Sequence, residues 1–172
     1  MSLSEMKKYT FKAKYAGYNE NAKRRETWNE CVGRSEEMML NKYKDYGLEE
    51  EIKAAYSAVK RKEVLGSQRV LQFAGKAIEK HNARAYNCSL SYLDRPRFFQ
   101  EATYLLLCGC GVGFSIQKHH VNKLPNLVSK IRDEKITFVI PDTIEGWADA
   151  IGVLVNSFFE NGLYPEYEGK KV

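Results

Sequence analysis

Residues 85–117, AYNCSLSYLDRPRFFQEATYLLLCGCGVGFSIQ, change their hydrophobic period twice, and those changes decide the fold class. Tyr86, Cys88, Leu90 and Tyr92 alternate with Asn87, Ser89 and Ser91, a period of two that predicts a strand. Asp94 stands where it can cap a helix, Pro96 is tolerated in a first turn, and Phe98, Ala102 and Leu105 then recur at helical spacing. Gly109 suits the left-handed position after the last turn. Val112, Phe114 and Ile116 alternate again and predict a second strand. Strand, helix, strand is an α/β pattern.

Upstream, RRETWNECVGRSEEMMLNKYKDYG (24–47) places Trp28, Val32, Met39 and Tyr43 on one helical face, with Gly47 as its stop. LEEEIKAAYSAVKRKEVLG (48–66) repeats the pattern through Leu48, Ile52, Ala55 and Val59, with Gly66 closing it. The segment before them reads as a polar lead. Downstream, KITFVI (135–140) is continuously apolar, which predicts a strand buried on both faces. Asp142 or Thr143 caps a last helix whose apolar face is Ile144, Trp147, Ile151, Leu154 and Phe158. The tail LYPEYEGKKV reads as polar, with no closing element. The expected organisation is a helical region over 1–66 and a strand-bearing region over 67–172.

The 172 residues carry a net charge of +5, spread along the chain, which is compatible with nucleotides, nucleic acid or an acidic partner and selects none of them. Mean hydropathy is −0.50 and no segment approaches a membrane span, so no membrane role is expected. MSLSEMKKYTFKAK has no apolar run, so no signal peptide is read. Cys31, Cys88, Cys108 and Cys110 are not spaced as a disulfide framework; reduced thiols and a cytoplasmic location are expected.

Several stretches could carry chemistry. Gly109, Gly111 and Gly113 look like a phosphate cradle, but they follow a helix and open a strand, the reverse of the order that aims helix amides at an anion. What remains is a tight glycine hairpin, or a place where backbone closely approaches a ligand. Cys108 and Cys110 with His119 and His120 lack the usual spacing of a zinc site, and Cys108 reads as a small buried apolar residue. Cys88 reads either as an inert buried thiol or as a cysteine that acts on a bound molecule. Ser67, Gln68 and Arg69 form a polar cluster at a helix exit, either a phosphate contact or a solvated turn.

These motifs, in this order, resemble the N-terminal part of the large catalytic chain of ribonucleotide reductases. The nearest resemblance is to the adenosylcobalamin-dependent class II enzymes of the ribonucleoside-triphosphate type. YAGYNENAKRRETWNECV is similar to the family's opening segment, and GSQRVLQFAG to its turn before the barrel. YNCS is similar to the strand that carries a redox cysteine, CGCGVGFSI to the glycine turn, and IPDTIEGWADA to a helix start. The resemblance implies an α/β fold in which this chain supplies an N-terminal helical region and the first strands and helices of a ten-stranded α/β barrel.

It also implies thiyl-radical reduction of ribonucleotides. Cys88 would be one of two cysteines that donate electrons and become a disulfide, restored by an external dithiol. Ser67, Asn87, Cys110 and Gly111 would lie at the substrate, and Asp94 at a dNTP or ATP effector. Adenosylcobalamin would be bound mainly by missing regions. The radical cysteine and the second reducing cysteine match nothing in this sequence. The expectation is therefore a split or truncated chain, inactive alone, which needs a complementary C-terminal reductase chain. The short connection between HHVNKLP and KITFVI leaves the helices at 96–108 and 144–160 free for a homodimer of such complexes. The rival reading is a non-catalytic nucleotide- or nucleic-acid-binding module derived from the same fold, using Tyr86, Tyr92 and Phe114.

Overall fold

The computed structural model describes residues 2–128, 135–159 and 164–168. The chain divides into two compact units, Met1–Ala85 and Tyr86–Val172.

The first unit is helical. α1 (Leu3–Lys14) occupies the stretch expected to be a polar lead. Its start is fixed by a capping box: the Ser2 hydroxyl accepts from the Glu5 amide, and the Glu5 carboxylate accepts from the Ser2 amide. A short antiparallel hairpin follows, β1 (Tyr18–Asn19) and β2 (Arg24–Arg25). α2 (Trp28–Lys42) starts with a second capping box, Thr27 with Glu30. Gly47, at φ 70°, turns the chain into α3 (Glu49–Lys60). α3 stops well before Gly66, because Lys62 takes a left-handed φ of 63° that no helix continues. α4 (Gln68–Phe73) and α5 (Lys76–Lys80) complete the unit.

α2 buries Cys31, Val32, Ser35 and Met38; of the expected stripe Val32 is fully buried, Trp28 and Met39 pack at the edge of the core, and Tyr43 is exposed. Cys31 and Val32 meet Leu71 of α4, with Phe11, Trp28, Tyr56 and Val59 packed around them. Met38 meets Ala74 and Ile78. A polar clamp ties these parts together. Arg34 bonds Glu26 through two nitrogens at 2.8 and 2.9 Å and also donates to the carbonyls of Leu71 and Ala74 at 3.1 and 2.7 Å. Glu26 accepts from the Gly17 amide at 2.9 Å.

The Arg34 hydrogen bonds hold the Glu26 carboxyl below its ordinary value of 4.5, against the opposing effect of burial. A depressed native value means that Glu26 contributes its stability above the ordinary carboxylate range. That contribution is lost as pH falls through the lowered native value. Glu26→Gln is therefore expected to cost about 2 kcal/mol at neutral pH. The gap between variant and parent should close in acid, as read by urea unfolding at several pH values.

The second unit contains two strand–helix–strand repeats of topology. β3 (Cys88–Tyr92) pairs in parallel with β4 (Gly111–Ser115) across α6 (Arg97–Leu107). β5 (Lys135–Val139) pairs in parallel with β6 (Tyr164–Glu168) across α8 (Ile144–Asn156). A single turn, α7 (Lys118–Val121), follows β4. α6 packs against α8.

Four expectations are corrected. The glycines at 109–113 form no hairpin, because β3 and β4 run parallel and a helix must separate them. The tail does contribute an element, β6. Residues 135–140 are not buried on both faces: Val139 is 52% exposed, and among the described residues β5 has β6 as its one neighbour. The buried residues of α8 are the small ones, Gly146 and Ala150 on one side and Ala148 and Gly152 on the other, whereas Trp147 of the expected face is exposed. Small residues let α6 come close: a Cβ at Gly152 would lie 2.8 Å from Gln100 Oε1.

Among the described residues the sheets do not close. Each contains two strands, so every strand keeps an unpaired edge, which a soluble protein normally covers. Among the described residues no helix is long and apolar enough to cross a membrane.

Candidate active site

The parallel register fixes which side chains share a face. Cys88, Leu90 and Tyr92 lie beside Gly111, Gly113 and Ser115; Ser89 and Ser91 lie beside Val112 and Phe114. α6 packs against the second set, with the rings of Phe98 and Phe114 at 4.9 Å between centroids, though Phe114 stays half exposed. The first set is left open: Cys88 is exposed and Leu90 is 75% exposed. The reading of Cys88 as an inert buried thiol therefore fails. Cys31, Cys108 and Cys110 are the buried cysteines.

α6 ends so as to deliver the glycine strand beside Cys88. Gly109 takes φ 84°; its amide donates to Leu106 O and the Cys110 amide donates to Leu105 O, both at 2.9 Å, a Schellman closure. The Gly111 amide then donates to Asn87 O at 2.8 Å. Asn87, Cys88, Cys110 and Gly111 are thus brought together. The Cys110 amide is committed to the helix end, and its thiol is buried, so only its carbonyl is left for a ligand.

Neither strand glycine is demanded by the chain's own packing. A Cβ at Gly111 would sit 3.6 Å from Asn87 O and 4.0 Å from Cys88 Sγ, ordinary contact distances. At Gly113 the nearest atom is Leu90 Cδ1 at 3.4 Å. Both have negative-φ backbone that other residues adopt. Their face is smooth beside a thiol, which suits close approach of a flat ligand.

The remaining candidates lie elsewhere. Asp94, past the end of β3, is not the cap of α6, whose N-terminal residue Pro96 offers no side-chain bond. Its carboxylate is held by Arg95 at 2.6 Å, and Arg95 also pairs with Glu101. Ser67 belongs to the helical unit, at the start of α4 rather than at a helix exit, where its hydroxyl accepts from the Val70 amide at 3.3 Å. That hydroxyl keeps its proton for donation.

His119 and His120 do not join the cysteines. Among the described residues no group of three or more His, Cys, Asp or Glu is placed to hold a metal. Instead Tyr92 stacks on His120 at 4.4 Å between centroids, and the His119 ring lies tilted beside His120 at 3.9 Å. Burial, then the neighbouring His119 and Lys123, push the His120 imidazole below its ordinary value. Sequence spacing marked the histidines only as doubtful ligands. Their stacking partner, on another element, leaves no local signal.

No family model matches the sequence, and no characterised protein matches it by sequence. The backbone does match a solved structure, described as a B12-dependent (class II) ribonucleotide reductase, with a TM-score of 0.75 over 94% of this chain at 18% identity. The chain shares its fold with part of that reductase structure. It spans 32% of the length of that reductase structure. The reductase fold is thus present here as mixed helix and sheet, with no closed barrel among the described residues.

Proposed function

We propose that this chain is the N-terminal piece of a class II ribonucleotide reductase, active only when residues outside this sequence complete the barrel. The carrying observation is an exposed thiol, Cys88, on an open, glycine-lined face of a parallel strand pair within a reductase fold. The exposed apolar residues Leu90 and Ile116 and the unpaired strand edges support the need for further strands, which in a split enzyme come from a complementary polypeptide.

In this reading Cys88 donates half of the reducing equivalents. A radical cysteine in the missing part abstracts the 3′-hydrogen of the ribose. The 2′-hydroxyl leaves as water, and Cys88 with a second cysteine passes from two thiols to one disulfide. Two electrons and two protons reach the nucleotide. An external dithiol then reduces the pair by exchange, which the exposure of Cys88 permits. Asn87 and Gly111 would face the substrate. Asp94 would meet an effector nucleotide once Arg95 gives way. The helical region expected over 1–66 would then extend through α4 and α5 to Ala85, with the first part of the barrel following it, in a cytoplasmic enzyme. The exposed Leu106, Leu107 and Trp147 on α6 and α8 support dimerisation through those helices.

Adenosylcobalamin is the cofactor proposed, as the source of the radical. The strand face described here is two strands wide and cannot enclose a corrin, so no residue of this chain is assigned to it.

The nucleic-acid module is the weaker reading. Tyr92 is already stacked on His120, and Phe114 lies on the opposite face against Phe98, so the three rings form no single platform.

Two experiments test the proposal. The tagged chain, isolated from its native cells with whatever it assembles with, should form deoxyribonucleotides from ribonucleotides given adenosylcobalamin and a dithiol. The chain alone should form none. An assembly that forms no product overturns the reading. Gly111→Ala should leave thermal stability within about 0.5 kcal/mol, yet lower kcat/KM of the assembly about ten- to a hundredfold by displacing the substrate.

A further inference from the structure

The helical unit carries a concavity unrelated to the strand face. It has a volume of about 930 Å³ and an apolar floor that includes Phe11, Trp28, Val64, Leu65 and Leu71. α1 forms one wall but buries none of its residues, and Val64 and Leu65 are 53% and 55% exposed. So large an open apolar surface is unusual unless something covers it.

The rim decides what can cover it. Lys7, Lys8, Lys12 and Lys62 line the groove, against one lining carboxylate, Glu26, which Arg34 already holds. Lys62 takes its left-handed φ of 63° and sits 5.6 Å from the Trp28 ring, so backbone strain is accepted at the residue that places a cation on the apolar floor. The walls are mostly helical: α1, the start of α2 and α4. The helical walls use their backbone groups internally, and Val64 and Leu65 lie on a short connection that belongs to no strand, so the groove favours an occupant that satisfies its own backbone.

We infer that this groove docks an acidic amphipathic helix of a partner protein, its apolar side chains on the Trp28–Leu65–Leu71 floor and its carboxylates against the lysine rim. A groove of this size accommodates about two turns of anchors at i, i+3 or i+4, and i+7. The inference does not rest on the reductase reading. It needs neither Cys88 nor substrate.

The test uses the full chain with Trp147→Phe, which leaves Trp28 as the sole tryptophan reporter of the two in the sequence. The probe is a synthetic helix of about fourteen residues, leucine on one face and glutamate on the other. Its control has lysine in place of glutamate. The glutamate peptide should shift Trp28 fluorescence and bind about tenfold tighter than the lysine peptide, an advantage that shrinks with added salt. Leu65→Asp, at an exposed position, should weaken binding about tenfold with unchanged circular dichroism. Lys8→Glu with Lys62→Glu should reverse the peptide preference. Equal affinity for the two peptides would overturn the inference. So would indifference to both sets of substitutions, binding to anionic vesicles in place of either peptide, or a groove filled by a second copy in sedimentation.

Discussion

Cys88→Ser is expected to lower deoxyribonucleotide formation by the assembled enzyme about a thousandfold or more, while the assembly still forms and still binds nucleotide. A serine hydroxyl fills nearly the same space but cannot give up an electron to a disulfide, so the two electrons needed to replace the 2′-hydroxyl by hydrogen have no source. The fold should hardly notice. Cys88 is exposed, and it neighbours Gly111 in the ladder, so no tightly packed site is emptied. The assay is product per assembly with a dithiol present, beside melting curves of parent and variant. Near-parental turnover by the variant would remove Cys88 from the chemistry and leave the open face unexplained.

Gly146→Ala is expected to have the largest effect on stability. A Cβ there would lie 2.4 Å from the Pro141 carbonyl oxygen and 2.8 Å from Pro141 Cδ, distances that require the backbone to move. The same residue is pinned from the other side, since its amide donates to Thr143 Oγ1 at 2.9 Å as the N-terminal cap of α8. Relieving the clash pulls the cap apart. Overpacking and the lost cap together should cost about 3 kcal/mol, a fall in melting temperature of about 10 °C. The comparison with Gly111→Ala is the informative one. Both remove a glycine from the strand-bearing unit, but one glycine is required by the chain and the other leaves space that nothing in the chain fills. Equal losses of stability in the two variants would contradict that distinction.

How much of this was legible beforehand follows from the kind of information each feature needs. β3, α6 and β4 were readable because their periods and breakers are local: alternation through Cys88–Tyr92, then Gly109 in its left-handed position. α1 was missed because its signal is the Ser2–Glu5 capping box, not an apolar stripe. β6 was missed because YPEYE carries proline and charge, and pairing with β5 supplies what composition does not. Burial was the least legible. Alternation in β3 separates two faces but cannot say which one lies under α6. The small residues Gly146, Ala148, Ala150 and Gly152 are the buried ones on α8 because neighbours come close on two sides, Pro141 at Gly146 and α6 at Gly152, and periodicity favoured the larger side chains. At the candidate site the Cys88–Gly111 juxtaposition followed from a parallel crossover. The commitment of the Cys110 amide to the helix end required coordinates.

The decisive measurement is a single turnover without external reductant. The assembly, fully reduced and freed of dithiol, is given ribonucleotide and quenched with an alkylating agent, and its digested peptides are weighed by mass spectrometry. The account predicts about one deoxyribonucleotide per new disulfide, with the peptide bearing Cys88 joined to a cysteine peptide that is not found in these 172 residues. Product formed while Cys88 is recovered as the alkylated free thiol would contradict it.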